Sequence, residues 1–163
     1  NVRSEVPAPF CVVLMSGQTM PLIYINYPVG TFSKEKQDGL AETLTTIALD
    51  AEQLPDTPFV RSTTWIYFRE YAEGMVYHGG KTDGRNVIGI EVNAFEGGFD
   101  TAAKQKLFAG FTEAVREAAG LAADDLVPVY IVLRDVPPEN WGVFGQTISL
   151  NDLRHPPENA EPV

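Results

Sequence analysis

Pro21-Leu22-Ile23-Tyr24-Ile25-Asn26-Tyr27-Pro28-Val29-Gly30 decides the fold, because the pattern it opens occurs twice in the chain. Leu22 to Tyr27 is rich in β-formers, Pro28-Val29-Gly30 makes a turn, and Ser33 suits a helix N-cap. Leu40, Leu44, Ile47 and Ala48 recur at the spacing of one buried helix face, which predicts a helix from Ser33 to Glu52 that stops before Pro55. Pro58 reads as loop, and Ser62 to Tyr71 as a second strand of aromatic and β-branched residues. Gly74, Gly79 and Gly80 mark turns around Met75-Val76-Tyr77.

The pattern then restarts. Val87 to Val92 reads as a strand, Glu96-Gly97-Gly98 as its turn, and Asp100 as the N-cap of a helix lasting to Ala119. The apolar face of that helix is Leu107, Phe111, Ala114, Val115 and Ala118. Val127 to Asp135 is the next strand, followed by a turn at 137–142 and a short run from Val143 to Ile148. Arg69-Glu70 matches Arg134-Asp135 and Gly80 matches Gly145 at an offset of 65, and the first strands match at 65, Leu22 on Val87. The helices match at 67, Leu40 on Leu107 and Leu44 on Phe111, so the second strand–helix turn is expected to be two residues longer. This is an internal duplication. Residues 21–150 are expected to form one domain of two β-α-β repeats, 21–85 and 86–150. Residues 1–20 read as an N-terminal extension upstream of the true start, and 151–163 as a polar tail.

A β-α-β unit pairs its strands in parallel through a right-handed crossover. Two units predict an α+β fold, a duplicated sandwich whose four-stranded sheet carries two helices on one face. The other face would hold Tyr24, Trp65, Tyr67 and Tyr130, with no helix left to cover it. Association of copies through the sheets, in cyclic symmetry, is the economical way to cover that face. A ferredoxin-type sandwich, which would dimerise, is the competing architecture.

Composition narrows the functions. The 163 residues, 44% hydrophobic and 21% charged, suit one soluble globular domain with a real core. A net charge of -10 leaves no basic surplus for phosphates and argues against a nucleic-acid partner. Cys11 is the single cysteine, so no intrachain disulfide and no thiolate metal site is expected. His78 and His155 lie far apart, and no apolar run approaches the roughly 18 residues of a membrane span. A cytoplasmic protein with no metal, no cofactor and no membrane partner is expected.

Pro21 is the chemical candidate. Should Met20 be an initiator, its removal would leave Pro21 with a secondary amine, where a free α-amine titrates near pH ~8. Burial lowers that value, and a base with a pKa near the operating pH works best. On the dipeptide alone the favoured reading of Pro21 is the first residue of an edge strand, where it has no N–H to contribute to a ladder.

The start PLIYINYPVG, the duplication and the closing VPVYIVLRDVPPENWGVFG resemble the tautomerase superfamily over residues 21–149. The resemblance implies a β-α-β fold assembled as a homotrimer with active sites at subunit junctions, and places Pro21 on the family's catalytic proline. It implies substrate-binding roles for Trp65, for Tyr130 from a neighbouring subunit, for Trp141 as the aromatic that keeps the pocket apolar, and for Arg61 as a pocket cation. Thr31 and the turn EGGFD at 96–100 lack the arginines with which acid-binding members hold carboxylates, and Val143 stands where the dehalogenase has a carboxylate. The expected activity is cofactor-independent keto–enol tautomerisation of a small unsaturated or aromatic substrate. The alternatives are a hydratase- or dehalogenase-like enzyme, and a catalytically inactive trimeric binding protein if Pro21 is not the mature N-terminus.

Overall fold

The computed structural model describes residues 21–82, 87–143, 145–147, 154–155 and 159–162. The expectations for residues 1–20 lie outside it, as do most of those for the tail. Strand β1 (Leu22–Pro28) alternates half-buried and buried side chains, with Ile23, Ile25 and Tyr27 turned into the core. Helix α1 (Lys34–Glu52) starts where the Ser33 hydroxyl accepts the Lys36 N–H and ends at Gln53 in the left-handed region. Thr57 and Pro58 then begin a one-turn helix, α2 (Pro58–Ser62), with the Thr57 hydroxyl capping Val60 N–H. Sequence reading took this stretch as loop and strand. A capping threonine followed by proline at the first helical position is the local chemistry that decides otherwise, and β2 (Trp65–Tyr71) starts after it.

The second repeat gives β3 (Ile88–Phe95), α3 (Thr101–Ala119) and β4 (Val129–Val136), followed by a two-residue hairpin, β5 (Gly142–Val143) and β6 (Gln146–Thr147). The four long strands form one sheet in the order β2-β1-β3-β4, with β1–β2 and β3–β4 parallel and β1–β3 antiparallel. Because β1 pairs directly with β2, the β-α-β units are unsplit, and the ferredoxin-type alternative does not apply. Both long helices cover one face. They approach closely at Gly110, where a Cβ would stand 3.2 Å from Ile47.

The duplication is cleaner than the sequence suggested. Moving α1 along the chain by 67 positions gives α3, end for end (34 + 67 = 101 and 52 + 67 = 119). The same shift carries the N-cap Ser33 to Asp100, the left-handed Gln53 to Gly120, and the Thr31 N–H to Pro28 bond onto Gly98 N–H to Phe95. Val29 N–H donates to the Tyr71 carbonyl at 2.8 Å, and Glu96 N–H donates to Val136 at 2.9 Å, which fixes β1 on β3 at 67 and β2 on β4 at 65. The expected strand offset of 65 is therefore corrected. The strand–helix turns are equal in length, and the two-residue difference lies between helix and second strand. Apolar alternation has a period of two, so a slip of two residues keeps every side chain on its face and leaves the pattern unchanged.

Candidate active site

Pro21 is buried at the start of β1, and its carbonyl accepts the Trp65 N–H at 3.3 Å. The sheet register brings a defined set of residues to this end. Leu22 pairs with Trp65 on one side and with Asn93 on the other, and Asn93 pairs with Arg134. The Asn93 side-chain amide donates to the Leu22 carbonyl at 3.2 Å and so ties the first residues of β1 to β3. Just beyond, Trp141 is buried and stacks on Phe95 with ring centroids 4.8 Å apart, and its indole N–H donates to the Val136 carbonyl at 3.3 Å. Leu22, Val136 and Val143 pack against this pair. Phe95 lies one step past Ala94, the position that continues the Leu22–Asn93 register to Pro21. Phe95 and Trp141 thus stand at the Pro21 end of the sheet, on the face that carries Leu22, while Pro21 is buried in line with Ile23.

The structure brings Pro21, Trp65 and Trp141 together at one end of the sheet. Trp65 lies on the helix-free face, 41% exposed, its indole N–H donating to Ser62 at 3.2 Å. Tyr130 is elsewhere. It pairs with Gly89, which pairs with Asn26, so within one subunit it stands toward the opposite end, on an edge strand and 81% exposed. Arg61 is directed at α1: it is held by Glu42 at 2.5 Å and Asp56 at 3.1 Å, and its guanidinium also donates to Thr46. The hydrogen bonds to Asp56 and then to Glu42 push its pKa further up.

Sequence reading missed Asn93 and Phe95. The signal was available in Asn26 and Asn93, which match at 67, but the offset of 65 hid it. Arg134 stands at the same end of the sheet, paired with Asn93. Its guanidinium bridges to Glu91 at 2.7 Å, and that bond, followed by the remaining charge interaction, holds the Glu91 carboxyl below its usual range against some desolvation. Among the described residues no group of three or more His, Cys, Asp or Glu is placed to hold a metal ion, and no helix is long and apolar enough to cross a membrane.

A sheet of two β-α-β units with a buried proline at the head of β1 defines a class of duplicated, unsplit β-α-β proteins. Residues 89–151 match the family model described as Tautomerase enzyme. Among solved structures, a fused 4-OT crystallised as an asymmetric trimer superposes with a TM-score of 0.65 at 21% identity, covering 78% of this chain and 95% of that one. N1, a member of the cis-3-chloroacrylic acid dehalogenase family, gives 0.66 at 19% identity over 79% and 84%. Macrophage migration inhibitory factor from Toxoplasma gondii gives 0.62 at 20% over 78% and 100%. No curated protein matches the chain. The chain shares the fold of these structures, and residues 89–151 are similar in sequence to the Tautomerase enzyme model.

Proposed function

We propose that the protein is a cofactor-independent keto–enol tautomerase, working as a homotrimer on a small unsaturated or aromatic 2-keto or enol substrate. The observation that carries this reading is Pro21, buried at the head of β1 at the end of the sheet where Phe95 and Trp141 stack. With its nitrogen free, Pro21 removes a proton from the carbon next to the substrate carbonyl. The C–H electron pair becomes the enol double bond, the carbonyl oxygen takes the charge, and the proton returns to oxygen or to a distal carbon. Trp141 and Phe95 keep water from the amine and hold its pKa down. Trp65 and the Tyr130 of a neighbouring subunit form the walls. Arg61 is left out of the chemistry, because Glu42 and Asp56 would have to release it. Backbone N–H groups supply the positive potential for the enolate oxygen.

A second reading has one observation in its favour: Met20 precedes Pro21 in this chain, and an acylated proline nitrogen is not basic. The protein would then be a trimeric binding protein without catalysis. One experiment separates the two. A version beginning Met20-Pro21, from which the methionine is removed, is expected to tautomerise phenylenolpyruvate. The chain retaining residues 1–20, with its N-terminus checked by intact mass, is expected to assemble and be inactive. Pro21→Ala in the short version is expected to lose on the order of 10²–10⁴ in rate, the usual cost of removing a general base. Equal activity of the long and short forms would remove Pro21 from the mechanism.

A further inference from the structure

The duplication gives the site at Pro21 a counterpart at the opposite end of the sheet. The shift of 67 carries Pro21 to Ile88, Leu22 to Gly89 and Asn26 to Asn93 (21 + 67 = 88, 22 + 67 = 89 and 26 + 67 = 93). The equivalence holds in hydrogen bonds. Asn93 donates to the Leu22 carbonyl at 3.2 Å, and Asn26 donates to the Gly89 carbonyl at 3.3 Å. After the second strands the shift is 65, which carries Tyr71 to Val136 and Val76 to Trp141 (71 + 65 = 136 and 76 + 65 = 141).

The two ends differ in what fills them. At the Pro21 end, Trp141 lies against Phe95. At the other end the corresponding residues are Val76 and Pro28 (95 - 67 = 28), so both rings are missing. A cavity of about 290 Å³ is found there, lined by Asn26, Tyr71, Met75, Val76, Tyr77 and Gly89 among others. Its volume falls at the small end of ligand pockets, which run from roughly 300 to 1,000 Å³. Ile88 offers no base, since its nitrogen is an amide that donates to Pro128 at 2.9 Å.

We infer that this cavity is a second, non-catalytic binding site for a flat, neutral aromatic molecule bearing a ring N–H, of indole type. Gly89 in the cavity lining pairs with Tyr130, so in the proposed homotrimer the cavity borders the pocket that takes Tyr130 from this subunit, and the inference rests on that assembly leaving it open. The lining side chains themselves carry no charge, and the two charged groups flanking Asn26 (Glu91 and Arg69) are of opposite sign. The Asn26 amide is already committed: it donates to Gly89 and to Glu91, and it accepts the Tyr71 hydroxyl at 3.2 Å. What remains is a main-chain acceptor. The Val136 carbonyl accepts both Glu96 N–H and the Trp141 indole N–H. Its counterpart, the Tyr71 carbonyl, accepts Val29 N–H at 2.8 Å, and a carbonyl oxygen has a second lone pair to offer. Met75 and Tyr77, both largely exposed, form the rim and add apolar contact.

The test is a fluorine NMR titration of 5-fluoroindole into the full chain. Saturable binding at one site per chain is expected, with amide shifts at Val76 and Gly89. Val76→Trp, which installs the ring found in the second repeat, is expected to weaken binding about tenfold or more by filling the space. Pro21→Ala is expected to leave it unchanged. Met75→Glu puts a charge on the rim and gives a second route to weakened binding should Val76→Trp fold poorly. Non-saturable binding, or binding that Val76→Trp and Met75→Glu leave intact, would overturn the assignment. Absence of binding would overturn it as well, and a Val76→Trp variant that broke the oligomer apart in light scattering would show that the cavity holds part of a second copy.

Discussion

Glu52 sits in surroundings that do not suit a carboxylate. It is the last residue of α1, 1% exposed, and neither carboxylate oxygen has a hydrogen-bond partner among the described residues. The helix C-terminus carries partial negative charge, which adds to the cost of a carboxylate there. The β3–α3 turn closes over it so tightly that a Cβ on Gly98 would stand 3.0 Å from its Oε1. Desolvation lifts its pKa from 4.5 to about 8, with Arg154 pulling weakly the other way. The folded protein therefore keeps a proton that the unfolded chain gives up. Stability from this group is full below about pH 4.5, falls as pH rises, and is lost above about 8. Thermal melting from about pH 5 to 9 should show this decline, and Glu52→Gln, which cannot ionise, should flatten it and melt higher than the wild type at the alkaline end. An unchanged slope in the variant would mean that other groups set the pH dependence. The sequence carries no sign of this burial: a glutamate at the end of an amphipathic helix reads as solvated, and the turn that covers it comes from the other repeat.

At the scale of elements, the two repeats test each other. α1 and α3 end in the same way, with a residue in the left-handed region, but α1 uses Gln53 at φ 57 where α3 uses Gly120 at φ 68. A side chain in that region costs roughly 1–2 kcal/mol, which glycine escapes. Gln53→Gly is expected to stabilise the protein by about 1 kcal/mol and raise Tm by roughly 2–4 °C; a fall in Tm would mean that the Gln53 side chain makes a compensating contact. Helix starts were legible because Ser33 and Asp100 each do a job at a helix end that few residue types can do. The strands' existence and parallel pairing were legible for the same reason the duplication was. What could not be read was their register, since alternation constrains a strand only to within two residues, and that uncertainty propagated into the site by hiding the equivalence of Asn26 with Asn93. The helix α2 was lost because five residues are too few for any apolar period to show.

At the scale of the molecule, the helix-free face of the sheet sets the remaining question. Trp65, Tyr67, Tyr130 and Val132 are all exposed on it, and a patch of this kind on a soluble domain marks a contact surface. In one subunit Pro21 and Tyr130 stand toward opposite ends of that sheet, because β1 runs toward Asn26 and Gly89 while Tyr130 pairs with Gly89. A pocket that uses both must take them from different copies, which is what the proposed homotrimer provides. This makes a sharp expectation for the short, active form. Pro21→Ala and Tyr130→Ala homotrimers should each be impaired. When the two variants are unfolded together and reassembled in equal amounts, a site is intact only if its proline comes from a Tyr130→Ala subunit and its tyrosine from a Pro21→Ala subunit. Random assembly gives each condition half the time, so about a quarter of wild-type activity should return. Light scattering on the same sample should report three subunits. Recovery no greater than the mean of the two variants measured apart would show that Tyr130 serves no pocket headed by another subunit's Pro21, and the exposed face of the sheet would then be a structural contact alone.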